Sequence, residues 1–311
     1  MCDCKKTAYI FPGQGAQYVG MGKDLYDSFP QAKAIFNLAN QVLGFDLAKI
    51  CFEGPIEELT KSAICQPAIV THSIAAFEAL KSVCASMAPA ACAGLSLGEY
   101  SALVACGSLK FKDAVSLVRK RGLFMDQASL DNPGTMACVL GIELEQARQI
   151  CAESDAEIAN LNCPGQIVLS GSLSAMKKAE ELAKAAGAKR VIPLGVSGAF
   201  HSSLMRSAAD KLKKELQNIQ ISKPNVLFIP NVTAGYAADP EQIGKLLTEQ
   251  VANTTYWGKS IELLKKDGIC CFIEMGPAKV LRGLLQRIDK ELNVLNLDKT
   301  SDFEKIAECC G

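Results

Sequence analysis

Short apolar runs closed by Gly or Pro alternate along the chain with stretches whose apolar residues recur every three or four positions. This alternation predicts an α/β protein with a largely parallel sheet, since buried parallel strands read as continuous apolar runs and crossover helices as amphipathic ones. Residues 7–11 form a strand stopped by Pro12-Gly13. Helices are expected over 31–42, 56–61 and 67–82, the last with Pro67 at its first helical position. The small-sided run 90–93 reads as a tightly packed strand, leading into Gly94-Leu95-Ser96-Leu97-Gly98 and a helix ending near Gly107.

Residues 135–193 carry a different order. Strands at 136–140, 157–161, 166–170 and 190–194 enclose helices at 144–153 and 174–186. This βαββαβ order is the ferredoxin-like arrangement, so a small subdomain at 133–196 is expected to interrupt a core made of 1–132 and 197–311. After Gly198-Ala199-Phe200-His201 the core resumes with a helix to about Leu216, a strand at 226–230, a helix at 242–251 and a strand at 270–274.

The 311 residues are 49% hydrophobic and 21% charged, which places the chain among folded globular proteins. Thirty-three basic side chains balance thirty-three acidic ones, leaving no global field to hold nucleic acid or an anionic membrane. The 14 cysteines are scattered without a CxxC, and only two histidines accompany them. We therefore expect no metal site and read the cysteines as small core hydrophobes in a reducing compartment. We expect no export leader ahead of the first strand, and the uncharged window 82–98 is too short to span a bilayer and is interrupted by Pro89 and Gly94. A cytoplasmic protein that contacts neither membrane nor nucleic acid is the expectation.

Gly94-x-Ser96-x-Gly98 between a buried strand and a helix is the nucleophile-elbow pattern, in which two glycines permit the turn that lifts a serine hydroxyl above the sheet. Such a serine needs a base, and the chain offers His72 and His201. His72 lies within a helical pattern. His201 sits in a loop after Gly198, where α/β folds place active-site groups, and is the candidate base. In the helix expected over 112–129, Ala114, Leu117, Val118, Phe124, Met125 and Ala128 form an apolar arc with Arg121 near its middle. An inward guanidinium must find an anion, either an internal carboxylate or the carboxylate of a substrate. Gly13-Gln14-Gly15 lacks the third glycine of a dinucleotide loop, Tyr18 standing in its place, yet can offer a backbone N–H to an oxyanion. Glu99 is expected to complement the N-terminus of its helix.

Together these motifs resemble the malonyl-CoA:acyl carrier protein transacylase family. The resemblance rests on Phe11-Pro12-Gly13-Gln14-Gly15-Ala16-Gln17, Gln66-Pro67-Ala68, Gly94-Leu95-Ser96-Leu97-Gly98-Glu99-Tyr100, Arg121-Gly122, Asn162-x-Pro164-Gly165-Gln166, Gly198-Ala199-Phe200-His201-Ser202 and Glu274-x-Gly276-Pro277, which cover nearly the whole chain. It implies a hydrolase-like α/β core with the inserted subdomain. It implies Ser96 as the nucleophile, His201 as its base, and the N–H groups of Gln14 and Leu97 as the oxyanion hole. Arg121 would bind the malonyl carboxylate, the backbone carbonyl of Gln250 would orient His201, and Asn162 would line the cleft mouth. Phe200 resembles the malonyl-selecting form of its motif, a bulky ring leaving less room for an α-methyl branch.

Two positions depart from the family pattern: Leu95 stands where histidine is common, and Tyr256 where Arg or Gln is more usual. The resemblance implies malonyl-CoA and an acyl carrier protein as partners, no cofactor, a monomer and a place in fatty acid biosynthesis. Lys189-Arg190 is either a carrier-facing basic patch or a solvated strand end. A serine thioesterase or hydrolase and a non-catalytic carrier-docking subunit are the alternative functions.

Overall fold

The computed structural model describes residues 6–85 and 87–307. Cys2, Cys4, Cys309 and Cys310 lie outside the described residues. Strand β1 (Thr7–Phe11) leads into helices α1 (Lys23–Ser28), α2 (Pro30–Leu43), α3 (Leu47–Glu53), α4 (Ile56–Thr60) and α5 (Ser62–Val83). Strand β2 (Ala91–Gly94) and helices α6 (Gly98–Ala105) and α7 (Phe111–Asp131) follow. Next come β3 (Gly134–Leu140), α8 (Leu144–Ser154), β4 (Glu157–Cys163), β5 (Gln166–Ser172), α9 (Leu173–Ala185) and β6 (Arg190–Pro193). The remaining elements are α10 (Arg206–Leu216), β7 (Leu227–Ile229), α11 (Pro240–Gln250), α12 (Trp257–Lys266), β8 (Cys271–Met275), α13 (Val280–Ile288), β9 (Asn293–Leu297) and α14 (Phe303–Ala307).

One sheet is wholly parallel, in the order β7-β2-β1-β8-β9. Its central strands are buried on both faces, as their unbroken apolar runs require. The other sheet is antiparallel, in the order β4-β5-β3-β6, with α8 and α9 packed together and against it. This is the α/β core and ferredoxin-like subdomain that the alternation and the βαββαβ order predict. The antiparallel sheet is tied to the core by backbone pairing with the segment between α11 and α12: Thr255 N–H donates to Ala159 O and Leu161 N–H to Thr255 O, both at 2.9 Å.

The hydrophobic core centres on α5, which is buried around its whole circumference. It is long and apolar enough to cross a membrane, but 94% of its most apolar window is covered by the protein itself, as in a central core helix. Its start corrects the sequence reading, since α5 begins at Ser62 and Pro67 lies within it. The carbonyl of Ala63, which Pro67 has no N–H to engage, accepts from Arg119 Nη1 of α7 instead. The uncharged window 82–98 contains the end of α5 as well as β2 and the turn beyond it. Helices α1, α3, α12, α13 and α14 and strand β9 carried no sequence expectation. Among the described cysteines, Cys51, Cys65, Cys92, Cys106, Cys138, Cys163 and Cys271 are buried free thiols. Cys270 departs from that reading, being disulfide-bonded.

Gly122 shows how closely α7 packs on α5. A Cβ built there would lie 2.5 Å from Ser62 O and 2.7 Å from Ala63 Cα. On propensity alone Gly122→Ala would add about 1 kcal/mol of stability. Forcing two helix backbones apart costs about 1–3 kcal/mol, so a net loss is expected, read as a lower urea midpoint with an unchanged slope. A midpoint at or above that of the wild type would contradict the close approach.

Candidate active site

The elbow between β2 and α6 is built from close contacts. A Cβ on Gly94 would sit 2.0 Å from Gly98 C, and one on Gly98 would sit 2.1 Å from Phe11 O. Only residues without side chains let the turn close against β1. Ser96 at the apex has φ +51°, a left-handed conformation costing roughly 1–2 kcal/mol for a residue with a side chain. His201, in the loop after β6, also has positive φ, +58°. Both residues that the sequence singled out for proton transfer are therefore held in strained backbone.

Ser96 Oγ and His201 Nε2 are 2.7 Å apart. His201 Nδ1 lies 2.8 Å from Gln250 O, the last residue of α11, and donates to that carbonyl; Nε2 is thereby left as the acceptor for the serine proton. Burial first, and then the nearby Arg121 charge, lowers the His201 pKa to about 4, with the Gln250 and Asn253 carbonyls opposing. The imidazole is thus neutral at physiological pH and able to accept a proton.

Arg121 is 2% exposed, on the inward face of α7 where the apolar arc placed it. Its Nη1 donates to Gln66 Oε1 at 2.8 Å, and its Nη2 to Gln250 Oε1 at 3.0 Å and Ser96 Oγ at 3.3 Å. The ring of Tyr100 lies 5.7 Å beneath the guanidinium. Among the described residues no carboxylate forms an ion pair with it; the buried Glu99 carboxyl acts on it through charge without a hydrogen bond between them. Glu99, in the first turn of α6 as expected, is fully buried, with its pKa pushed up to about 8 by that burial. Its carboxylate accepts the backbone N–H of Asn231.

Ser96, His201 and Arg121 line a cleft of about 260 Å³, together with Gln14, Leu97, Asn162 and Phe200. The backbone N–H groups of Gln14 and Leu97 have no hydrogen-bond partner among the described residues. Asn162, on β4, is buried with its Oδ1 unpaired. Leu95 adds an apolar wall where a histidine is common, packed against the core cluster that includes Trp257 and Leu264. His72 is remote from this group: it is buried in α5, its Nε2 3.2 Å from Asp298 Oδ1, an oxygen that accepts from Tyr18 Oη at 2.9 Å. Among the described residues no cluster of His, Cys, Asp or Glu could hold a metal ion.

Asn231 and the side-chain contacts of Gln66 and Gln250 with Arg121 carried no sequence expectation. Gln66 lies in a quoted motif, but uncharged amides facing a buried cation leave no periodic signal.

Residues 8–295 match the family model for the acyl transferase domain. The malonyl CoA-acyl carrier protein transacylase of Bacillus subtilis is 45% identical over 304 residues, covering 96% of this chain and 95% of its own length. The Escherichia coli transacylase is 40% identical, covering 94% and 96%. An acyl carrier protein S-malonyltransferase structure from Vibrio cholerae superposes with a TM-score of 0.94 at 38% identity, covering 97% of this chain and 100% of that one. A malonyl-transacylase solved in complex with a type II polyketide synthase acyl carrier protein gives 0.95 at 36% identity, covering 98% and 100%. Sharing that fold, that length and that identity, the chain belongs to the acyl transferase domain family, among the malonyl CoA-acyl carrier protein transacylases.

Proposed function

We propose that this protein transfers the malonyl group of malonyl-CoA to the phosphopantetheine thiol of an acyl carrier protein through an ester on Ser96. The observation that carries this is the convergence on one hydroxyl: Ser96 Oγ lies 2.7 Å from His201 Nε2 and 3.3 Å from Arg121 Nη2 within a single buried cleft. A base and a carboxylate-binding fork on the same oxygen suit an acyl group that ends in a carboxylate.

In the first half-reaction His201 takes the Ser96 proton as Oγ attacks the thioester carbon. The oxyanion is stabilised by the free N–H groups of Gln14 and Leu97, each donor of this kind contributing about 3 kcal/mol in the transition state. The C–S bond then breaks, and His201 returns its proton to the departing CoA sulfur. In the second half, the carrier thiol gives its proton to His201, its sulfur attacks the ester, and Ser96 leaves reprotonated. The Gln250 carbonyl holds the imidazole throughout, so no acidic third member is needed. Phe200 and Asn162 shape the pocket for the acyl chain and the cleft mouth. The chemistry uses neither metal nor organic cofactor.

On the same proposal the unit boundaries are 1–132 with 197–311 for the core and 133–196 for the insert. The exposed Lys189 and Arg190, at the start of edge strand β6, provide positive charge for an acidic carrier. The protein acts as a cytoplasmic monomer in fatty acid synthesis.

Peptide mass spectrometry after brief exposure to malonyl-CoA should show a malonyl adduct on the Ser96 peptide, absent with acetyl-CoA and in Ser96→Ala. CoA release without an adduct or a carrier would indicate a hydrolase, and no turnover a docking subunit. Arg121→Gln should lower kcat/KM for malonyl-CoA by about 10–100-fold, the scale of a hydrogen-bonded charge, and change acetyl-CoA far less. The profile of kcat/KM for CoA release should stay flat from neutral pH downwards and fall only as pH drops through about 4, where free His201 becomes protonated. An acid limb at the ordinary histidine value would show that burial and Arg121 do not depress this base.

A further inference from the structure

Asn231 follows β7 and Pro230, is 0% exposed, and does not line the cleft. Its polar groups are nonetheless committed to the elbow and its surroundings. Oδ1 accepts the Ser96 N–H at 2.6 Å, and Nδ2 donates to Gly94 O at 2.7 Å. Its main-chain N–H donates to the Glu99 carboxylate, and its carbonyl accepts the Tyr256 N–H at 2.9 Å. A single residue therefore grips the end of β2, the apex of the turn and the first turn of α6.

The elbow cannot hold its apex alone. Its own backbone bonds run from Gly98 N–H to Leu95 O and from Glu99 N–H to Ser96 O, and neither engages the Ser96 N–H. With φ at +51°, that part-buried N–H would have no partner in the protein were Asn231 Oδ1 not there. The Gly94 carbonyl is likewise met by Nδ2. Only a side chain with an acceptor and a donor on one rigid plane satisfies both, and the parallel pairing of β2 with β7 sets it opposite the turn.

We propose that Asn231 is a positioning residue: its amide holds Ser96 in the left-handed conformation that places Oγ against His201 Nε2, without touching substrate. This rests on the proposed Ser96 ester. Aspartate makes a discriminating substitute. Its carboxylate can accept from Ser96 N–H, but it opposes the Gly94 carbonyl with a second oxygen and regains a donor only when protonated.

The test uses the full-length chain, Asn231→Ala and Asn231→Asp, following malonyl-CoA-driven CoA release at saturation, KM, hydrogen exchange at the Ser96 amide, and melting. In Asn231→Ala the saturated acylation rate should fall on the order of 100-fold, as for a reacting atom displaced by about 1 Å, with KM nearly unchanged. Ser96 amide exchange should quicken while the rest of α6 keeps its protection. In kcat/KM, Asn231→Asp should be slow at neutral pH and recover relative to wild type as pH falls towards 5, a range where the wild-type kcat/KM profile is flat. Acylation within twofold of wild type in either variant, or unchanged Ser96 exchange in Asn231→Ala, would overturn the proposal. So would a rise in KM with the saturated rate intact. Should Asn231→Ala fail to fold, the pH response of Asn231→Asp decides. A wild-type control that forms no Ser96 adduct would fail the ester, and the Ser96 exchange comparison would then decide the clamp separately.

Discussion

A guanidinium buried at the floor of the cleft, with no carboxylate bound to it among the described residues, is the constraint around which the site is arranged. Arg121 has lost water on every side, and its fork is met by the amide oxygens of Gln66 and Gln250. Neutral acceptors offset part of the desolvation but leave the charge uncancelled. That residual field reaches His201 and adds to burial in holding its imidazole neutral. It also ties distant parts of the chain together. Gln66 comes from α5, Arg121 from α7 and Gln250 from the last position of α11. Gln250 uses its side chain on Arg121 and on the Ser96 carbonyl, while its own carbonyl holds His201. Displacing any one of these helices would disturb cation, base and nucleophile together.

The parallel sheet explains why these groups meet where they do. β1 has β2 on one side and β8 on the other, so the chain order reverses beside it and a crevice opens at the carboxyl ends of the strands. Gln14 leaves β1 there, the elbow leaves β2, and Asn231 leaves β7. The antiparallel subdomain closes the crevice from the other side. Its strand β4 carries Asn162 into the cleft wall and is joined to the core by the pairing of Ala159 and Leu161 with Thr255. A sheet that pairs its strands locally can be inserted between α7 and α10 without disturbing the parallel order beneath it.

What the sequence disclosed follows from which interactions leave a periodic trace. The inward Arg121 was legible because a 3.6-residue arc of apolar neighbours surrounds it. The elbow was legible because the close approach of Gly98 to Phe11 O admits no other residue type. Pro67 misled because a proline usually opens a helix, and only the third-dimensional contact between Arg119 and Ala63 O permits it inside one. Helix α13 and strand β9 went unread because they are only nine and five residues long, too short for their apolar positions to establish a period. Asn231 left no trace at all, because an asparagine after a proline at a strand end has the composition of any turn. Its partners Gly94, Ser96 and Glu99 lie more than 130 positions away.

On the proposed function, acyl selection and base strength are the same electrostatic event. In the free site two effects weaken His201 as a base, burial and the Arg121 charge. A malonyl carboxylate paired with Arg121 removes the second, so loading the correct acyl group raises the affinity of His201 for the Ser96 proton at the moment that proton must move. An acyl group without a carboxylate fills part of the cleft but leaves the cation unpaired and the base depressed. Discrimination therefore acts twice, once in binding, where a desolvated guanidinium lacks its partner, and again in the proton transfer that follows. The same logic accounts for the neutral amides around Arg121. A permanent internal carboxylate would satisfy the charge in every state, and the site would then lose the means to sense which acyl group had arrived.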